Sequence, residues 1–325
     1  MRSLFLILFT FVITCSFAQQ KQARTFYLAD QSRYVSTIDS AEFTRVVEPP
    51  APDSGFYVVT EYYKNGKKKL SGKSAYSDGA YMVGECTTFY KNGNVERNVT
   101  YKRGQPSGDE YDFYPNGNPY RVITWPRHID IFDTGSDKFL IKSCYDSLGT
   151  ALVEDGRGHY RGYDSTYTYI AEEGPVKKGK RDSIWTGVVK SNKISFVEHY
   201  DKGDLTSGMA TFSDGTKSSY SGHRMAGPQF KGGEDALNAY LQAHLRYPAD
   251  ARDNMMEGTV FLSFNVEQNG KISNIRLTKH VYPSIDREAL KFLKGSPDWI
   301  PATYFGRFSQ AGYSMPLNFT LERPN

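Results

Sequence analysis

The residue types that carry most enzymatic chemistry are present in this chain, but they are not arranged as catalytic motifs. None of the six histidines falls in the His-x-His or His-Glu-x-x-His spacing that binds a metal ion, and the sequence contains no Cys-x-x-Cys motif. They are His128, His159, His199, His223, His244 and His280. No serine has the Gly-x-Ser-x-Gly or Ser-x-x-Lys setting of a nucleophile. The sequence therefore predicts no catalytic residue, no metal and no cofactor.

Two sets of carboxylates are the remaining candidates for acid–base chemistry. Glu172 and Glu173, or Asp201 and Asp204, could act as an acid and a base in a glycan-binding groove. A solvated loop face is the better explanation of both sets, and we favour that interpretation. Gly232-Gly233 opens a helical segment as a phosphate loop would, but the Lys and Ser/Thr that complete such a loop are missing. An enzyme acting on glycan or peptidoglycan is kept only as an alternative.

The N-terminus predicts secretion. Arg2 precedes an apolar run over residues 4–14, and Ser16-Phe17-Ala18 provides a small-x-small cleavage site. The 15 residues from 4 to 18 would span roughly 22 Å as a helix, against a hydrocarbon core of roughly 30 Å. We expect a signal peptide at 1–18 and a protein of the periplasm or cell envelope. An uncleaved inner-membrane anchor is the less favoured alternative.

The charge of the chain narrows the choice of partners, and its cysteine content leaves one disulfide possible. The 40 basic and 36 acidic residues give a net charge of +4, and no basic block stands out. Nucleic acid and anionic membrane are therefore poor candidates as partners. Cleavage would leave Cys86 and Cys144, which an oxidising envelope would allow to pair, although the sequence cannot show that they meet.

A repeated aromatic-Asn-Gly unit organises the chain from residue 55. The unit is YYKNGK at 62–67, FYKNGN at 89–94 and FYPNGN at 113–118, so its asparagines are 27 and then 24 residues apart. Asn-Gly after alternating aromatics predicts hairpins in which both turn residues have positive φ. Residues 19–54 form a lead-in that ends in the stiff stretch EPPAP at 48–52. Residues 55–228 are expected to be a mainly β hairpin array.

Between the second and third units lies YKRGQPSGDEY at 101–111, whose Tyr and Gly spacing resembles the MORN-repeat family in its variant bacterial form. Weaker copies follow near Asp155-Gly156, Lys178-Gly179 and Lys202-Gly203, and Asp214-Gly215 closes the series. The resemblance covers about 55–222. It implies a scaffold and assigns no chemistry.

Helical periodicity replaces the hairpin pattern after about residue 229. A helix is expected over 233–245, a strand over 258–266, a turn at Asn269-Gly270 and a second strand over 271–278. A second helix should begin with Ser284 as its N-cap, and a last strand should run over 313–321. Residues 229–325 are thus expected to form a small α+β domain with an antiparallel sheet and two helices.

The order and spacing of several landmarks over about 230–322 resemble the TonB C-terminal domain family. These landmarks are Tyr247-Pro248, Ala251, Gly258, Phe264, Val266, Asn269-Gly270, Ile285-Asp286, Ala289-Leu290, Trp299, Pro301, Gly306, Pro316 and Phe319. The resemblance implies a non-enzymatic domain that captures an extended peptide of a TonB-dependent outer-membrane receptor beside an exposed sheet edge. Pro316 indicates that the last strand is an edge, because proline cannot donate to a central ladder.

Carried over position by position, the resemblance implies a partner-binding strand and a neighbouring loop. The implied partner-binding residues are Leu245, Arg246, Tyr247, Pro248, Ser314, Met315, Pro316, Leu317, Asn318, Phe319 and Thr320. Met315, Leu317 and Phe319 are expected to fill the core, so the backbone edge and the outward side chains would bind.

Two roles fit these expectations. An energy transducer would pull on the receptor and needs a membrane anchor, whereas a periplasmic adaptor would join the receptor, or another envelope protein, to a partner of the hairpin array. The predicted cleavage and the short proline stretch favour the adaptor. A MORN-repeat scaffold is the further alternative, and the sequence leaves a homodimer open.

Overall fold

The structure is a computed structural model that describes residues 22–30, 33–51, 53–126 and 139–321. The predicted signal peptide, residues 1–18, lies outside the described residues. Within the described ranges, no helix combines the length and apolar character needed to cross a membrane.

The chain divides into two compact units. One comprises the described residues up to 106 together with 115–117, and the other comprises 107–114 and the described residues from 118 onward. The predicted domain boundary near residue 228 falls inside the second unit and stays a prediction.

The first unit is an antiparallel sheet of consecutive hairpins. Its strands are β1 (Arg24–Leu28), β2 (Tyr34–Val35), β3 (Phe43–Glu48), β4 (Tyr57–Tyr63), β5 (Lys68–Ser74), β6 (Met82–Phe89) and β7 (Val95–Lys102). β1 pairs with β2 and β3, and each strand from β3 to β7 pairs with the next. One carboxylate, Glu61, is buried inside this sheet, where the guanidinium of Arg45 lies 2.7 Å away and the ammonium of Lys69 2.6 Å away.

The second unit begins with a further series of hairpins. Its strands are β8 (Gln105–Phe113), β9 (Pro119–Trp125), β10 (Leu140–Tyr145), β11 (Ala151–Glu154), β12 (Arg157–Tyr163), β13 (Ile170–Lys177), β14 (Lys180–Arg181), β15 (Ser183–Val189), β16 (Ile194–Asp201), β17 (Asp204–Thr211) and β18 (Lys217–Tyr220). A short 3-10 helix, Lys190–Asn192, joins β15 to β16. Successive strands pair antiparallel from β8 to β13 and from β15 to β18, and β13 also pairs with β14 and β15. Trp185 is fully buried in this part of the unit and stacks on Tyr160.

The hairpins use two kinds of turn, which corrects one sequence expectation. At the Asn-Gly turns only the glycine has positive φ, as Gly66 (78°) shows, and the Asn65 backbone stays in the ordinary region. Hydrogen bonds from Gly66 N to Tyr63 O and from Tyr63 N to Lys67 O close a three-residue loop of a type I turn with a bulge. Positive φ at both positions occurs instead at Arg103-Gly104, Asp155-Gly156 and Lys202-Gly203.

The asparagines of the repeated turns bind the following turn. Within the first unit, Asn65 Nδ2 donates to Lys91 O (3.1 Å) and Asn92 Nδ2 donates to Pro115 O (2.7 Å). In the second unit Asn118 Nδ2 donates to Ser147 O (2.9 Å). In these three places a backbone carbonyl of the next turn accepts a hydrogen bond from an asparagine of the turn before it. The assignment to MORN repeats remains a proposal.

The C-terminal part of the second unit is a small α+β fold. Its elements are β19 (Met225–Ala226), α1 (Gly233–His244), α2 (Ala249–Asp253), β20 (Gly258–Val266), β21 (Ile272–Lys279), α3 (Pro283–Lys294), β22 (Ala302–Tyr304), β23 (Arg307–Ser309) and β24 (Ala311–Phe319). β21, β20 and β24 form one antiparallel sheet in that order, and β19, β22 and β23 form another. The expected mainly β chain with a small α+β fold at its C-terminal end is confirmed at this level. The short helix α2 was not predicted.

An apolar core joins α3 to the three-stranded sheet. Val260, Leu262 and Leu317 are buried between the strands and the helix residues Ile285 and Leu293. The expected N-cap of this helix is wrong: Tyr282 is the capping residue, and Pro283 begins the helix. Proline fits the first helical position because its missing N–H would be unpaired there anyway. Ser284 is consequently buried inside the first turn, where its hydroxyl has no hydrogen-bond partner.

The hairpin of β22 and β23 connects this fold to the last strands of the array. Its tip, Phe305-Gly306, has positive φ at both residues, and the Phe305 ring lies 5.4 Å from the ring of Phe196 in β16. A Cβ on Gly306 would lie only 2.4 Å from the Ser219 carbonyl oxygen, so only glycine allows this close approach. The array thus holds the chain immediately before β24.

Candidate functional site

β24 is an edge strand. It pairs along its whole length with β20, from Gly258 opposite Phe319 to Val266 opposite Ala311, and among the described residues no strand lies on its other side. Pro316 lies opposite Phe261 in this ladder. The strand starts and ends two residues earlier than expected, so Thr320 follows it rather than belonging to it.

The side chains of β24 alternate between the core and the solvent. Met315, Leu317 and Phe319 are buried, as predicted. Ser314, Pro316 and Asn318 are exposed on the opposite face of the sheet. Of the expected partner-binding residues in this strand, Met315, Leu317 and Phe319 therefore pack their side chains into the core.

Two hydrogen bonds on the flanks of the ladder establish which backbone groups face outward. Thr278 Oγ1, in β21, donates to Phe261 O (3.2 Å), so the Phe261 carbonyl points toward β21 and away from β24. Leu321 N donates to Glu257 Oε1 (2.6 Å), on the side of β20. In an antiparallel strand the N–H and C=O of one residue point the same way, and successive residues alternate. Residues 314, 316, 318 and 320 therefore direct their backbone groups to the free edge.

This geometry explains why proline is tolerated in the middle of the strand. Because Pro316 belongs to a pair without mutual hydrogen bonds, its missing N–H costs the ladder with β20 nothing. The nitrogen of Pro316 faces the open side, which is where prolines occur in sheets. The edge consequently offers outward N–H groups at Ser314, Asn318 and Thr320, and an outward carbonyl at Pro316.

The loop 245–248 meets β24 only in part. The Tyr247 ring packs edge-on against Phe319, with ring centroids 5.8 Å apart, and its hydroxyl donates to Met256 O (2.6 Å). Burial, and to a lesser extent the Glu257 carboxylate, raise the pKa of Tyr247, so this donor stays protonated. Leu245 packs against the core, and Pro248 precedes α2.

Arg246 contacts the C-terminal end of α1. Its guanidinium donates to the carbonyls of Ala243 (2.6 Å) and Gln242 (3.2 Å) at the C-terminal end of α1, where a cation is favoured. Its backbone N–H donates to Glu288 of α3. The structure thus places Tyr247 beside β24 and gives Arg246 a helix-capping role.

The residues considered for acid–base chemistry are engaged in ion pairs or lie at a turn. Burial alone would raise the pKa of Glu172, but Arg181 and then Arg224 lower it to about 2, the reverse of what a general acid requires. Glu173 contacts His159 and Arg161. Asp201 and Asp204 lie opposite each other across the Lys202-Gly203 turn. No group of three metal-binding side chains occurs within the part of the chain that the structure describes.

Cys86 and Cys144 are both buried free thiols. Burial raises the pKa of each to about 11, which keeps the thiols protonated and unreactive at neutral pH.

Sequence reasoning missed a buried ion network in the last strands of the array. Glu198 is fully buried, and both of its oxygens accept from the Arg224 guanidinium (2.7 and 2.6 Å). Arg224 also lies 2.9 Å from Glu172. A signal was available, because Glu198 occupies an inward position in the alternation of Ile194, Phe196 and Tyr200 along β16. An acidic residue in the apolar phase of a strand indicates a buried partner.

The edge of β24 and the loop 245–248 lie in the part of the chain that matches a family model. Residues 243–321 match the family described as Gram-negative bacterial TonB protein C-terminal. Among solved structures, the solution structure of the Helicobacter pylori TonB C-terminal domain is similar, with 18% identity and a TM-score of 0.22. The similarity covers 27% of this chain and 79% of that chain. Comparison with curated proteins finds no match.

The TonB C-terminal match indicates a TonB-like envelope protein. The family is one of non-enzymatic domains of the periplasm and envelope, which interact with outer-membrane proteins in general. The matched range contains α2, β20, β21, α3 and β24, and thus the whole candidate edge.

Proposed function

We propose that this chain is a non-enzymatic envelope protein that captures an extended peptide of a TonB-dependent outer-membrane receptor along β24. The observation that carries the proposal is the edge of β24, which has no neighbouring strand among the described residues and whose outward N–H groups belong to Ser314, Asn318 and Thr320. Such an edge is a template for strand addition, in which backbone hydrogen bonds supply much of the affinity.

The dimensions of the edge suit a short receptor segment. The nine residues of β24 span about 30 Å at roughly 3.3 Å per residue. Because directly opposite residues share a face, every second side chain of an added strand would extend the row of Met315, Leu317 and Phe319 toward the core side. The other side chains would lie on the exposed face beside Ser314, Pro316 and Asn318. A peptide of alternating apolar and polar residues is therefore the expected ligand.

The test is titration of the full secreted chain with peptides from the plug-proximal N-terminal segments of TonB-dependent receptors of the same genome. We expect binding that is tighter than that of scrambled peptides. Asn318→Pro and Thr320→Pro each remove one outward N–H, and loss of one backbone hydrogen bond of about 1 kcal/mol corresponds to a weakening of about fivefold. Asn318→Ala is the matched control, because it truncates the same side chain and keeps the N–H.

Folding of each variant is checked by its thermal unfolding before binding is compared. If no receptor peptide binds more tightly than its scrambled version at millimolar concentration, peptide capture is rejected. The domain then shares only its fold with the TonB family.

We propose the adaptor role in preference to the transducer role. Asparagine hydrogen bonds join neighbouring turns within each of the two units. Residues 55–228 would bind a second envelope component while β24 holds the receptor. Mass analysis of the mature protein tests this choice. A chain that begins at Gln19 excludes a membrane-anchored transducer, whereas an intact N-terminus supports one.

A further inference from the structure

The exposed face of the three-stranded sheet carries a polar trough that runs from β24 to β21. Its volume is about 390 Å³, and its lining includes Ser314, Ser263, Asn265, Asn274 and Arg276. Arg276 is the one charged residue among the described residues that line it. A single side chain of an added strand could occupy this volume, which far exceeds the roughly 30 Å³ of a water molecule.

The pairing register places three hydrogen-bond donors in one row across the sheet. Ser263 of β20 lies opposite Ser314 of β24 on one side and opposite Arg276 of β21 on the other. All three belong to the solvent-facing phase of their strands, opposite to the buried Leu262, Leu317 and their neighbours. The row therefore leads from the free edge, across two hydroxyl groups, to a guanidinium.

None of these three side chains has a hydrogen-bond or ion-pair partner among the residues that the structure describes. This sets Arg276 apart from Arg45, Arg121, Arg181 and Arg224, each of which is paired with a buried or half-buried carboxylate. The small side chains of Ser263 and Ser314 also leave the path between the edge and Arg276 open. An unpaired guanidinium at the end of a row of hydroxyls is complementary to a carboxylate.

We propose that the trough selects an acidic residue in the captured peptide, at the position opposite Ser314. This rests on the proposed strand addition at β24. A residue opposite Ser314 shares its face, so a glutamate there would extend over Ser314 and Ser263 toward Arg276. The hydroxyls donate to the carboxylate oxygens, and the guanidinium supplies the opposite charge. The ligand class is thus an extended segment with one acidic residue on its polar face.

The experiment uses the full secreted chain and synthetic peptides of alternating valine and threonine that are long enough to cover β24. Glutamate replaces each threonine in turn, and each such peptide is compared with its glutamine version. We expect glutamate to be preferred at one position by about threefold to fivefold, the range of a partly exposed ion pair. The preference should disappear in Arg276→Gln and at high salt.

Lys271→Gln is the matched control variant. It removes the same charge from the same hairpin at a residue outside the trough lining, so it should keep the glutamate preference. The inference is overturned if no position prefers glutamate, or if the preference survives in Arg276→Gln. Binding of all peptides without an acidic preference would reject this inference alone. Failure of every peptide, neutral ones included, would reject strand addition at β24 and the acidic preference with it.

Discussion

The last strands of the hairpin array differ from the three-stranded sheet at the C-terminal end in two respects: whether each strand has neighbours on both sides, and whether charged residues are buried. In the array β12, β13, β15 and β16 have neighbours on both sides, and charged residues such as Glu198 and Arg181 are buried between them. In the C-terminal sheet the core is apolar, and one side of β24 pairs with no strand in the part of the chain that the structure describes.

This difference agrees with the scaffold that we propose for the array and with the binding edge that we propose for β24. A register shift by one residue would move Glu198 to the solvent face and bring Val197 or His199 inside, away from Arg224. Buried ion pairs in the array therefore penalise slippage. β24 can remain unpaired on one side because Met315, Leu317 and Phe319 fix its register from the core side.

The largest effect is expected from emptying the apolar core beside β24. The Trp299 ring contacts Phe230, Phe264 and Tyr313 at centroid distances of 5.1–5.5 Å, and its indole N–H donates to Ser296 Oγ. Trp299→Ala should lower the free energy of unfolding by about 3–5 kcal/mol. Chemical denaturation measures this change. An unchanged midpoint of unfolding would contradict the observed burial.

A similar or slightly smaller loss is expected from breaking the ion network of the array. Arg224→Ala leaves the fully buried Glu198 without its guanidinium and removes one of the two arginines beside Glu172. Loss of one partner of a buried pair typically costs about 3–5 kcal/mol. Lys142→Ala serves as the control, because Lys142 pairs with Asp109 at the surface and its loss should cost less than about 1 kcal/mol. Equal effects of the two variants would show that the buried network contributes no more than an exposed pair.

The same network predicts a pH dependence of stability. The pKa of Glu172 is lowered from 4.5 to about 2 in the folded chain, so its contribution is complete above pH 5 and is lost as the pH falls toward 2. The contribution corresponds to about 3 kcal/mol. Glu172→Gln should therefore be less stable than the parent protein at pH 6, and the difference should shrink toward pH 2. A difference that stays constant over this range would contradict the low pKa.

The sequence predicts the bounds of a strand correctly where alternating apolar residues end at residues typical of turns. β20 was expected at 258–266 and lies at Gly258–Val266, because Val260, Leu262 and Phe264 alternate between a glycine and an Asn-Gly turn. The prediction placed the end of β24 two residues too late because Leu321 continues the alternation, whereas β20 begins at Gly258, which lies opposite Phe319.

The features that the sequence did not reveal depend on contacts between distant residues. The hairpin tip at Phe305 is recognisable only from its packing against Phe196, and α2 is too short to show a helical period. The two faces of β24 could be predicted, but the outward direction of residues 314, 316, 318 and 320 could not. That direction follows from the hydrogen bonds of Phe261 and Leu321.

The smallest expected effects come from the exposed face of β24. Asn318 is exposed, and its side chain accepts a hydrogen bond from the Thr259 hydroxyl across the ladder. Asn318→Ala should change the free energy of unfolding by no more than about 0.5 kcal/mol. Its neighbour Leu317 is buried, so Leu317→Ala should cost about 2–5 kcal/mol. The two variants therefore separate the exposed face of β24, where we propose binding, from its core face.

The same exposed position distinguishes backbone recognition from side-chain recognition of the peptide. If backbone groups supply most of the affinity, Asn318→Ala should weaken binding by less than about threefold, while Asn318→Pro should weaken it by about fivefold or more. Both affinities are measured by titration of the full secreted chain with the tightest-binding receptor peptide. Equal losses in the two variants would show that the Asn318 side chain, and not its N–H, contacts the ligand. The free backbone of β24 would then be an edge that the partner leaves unused.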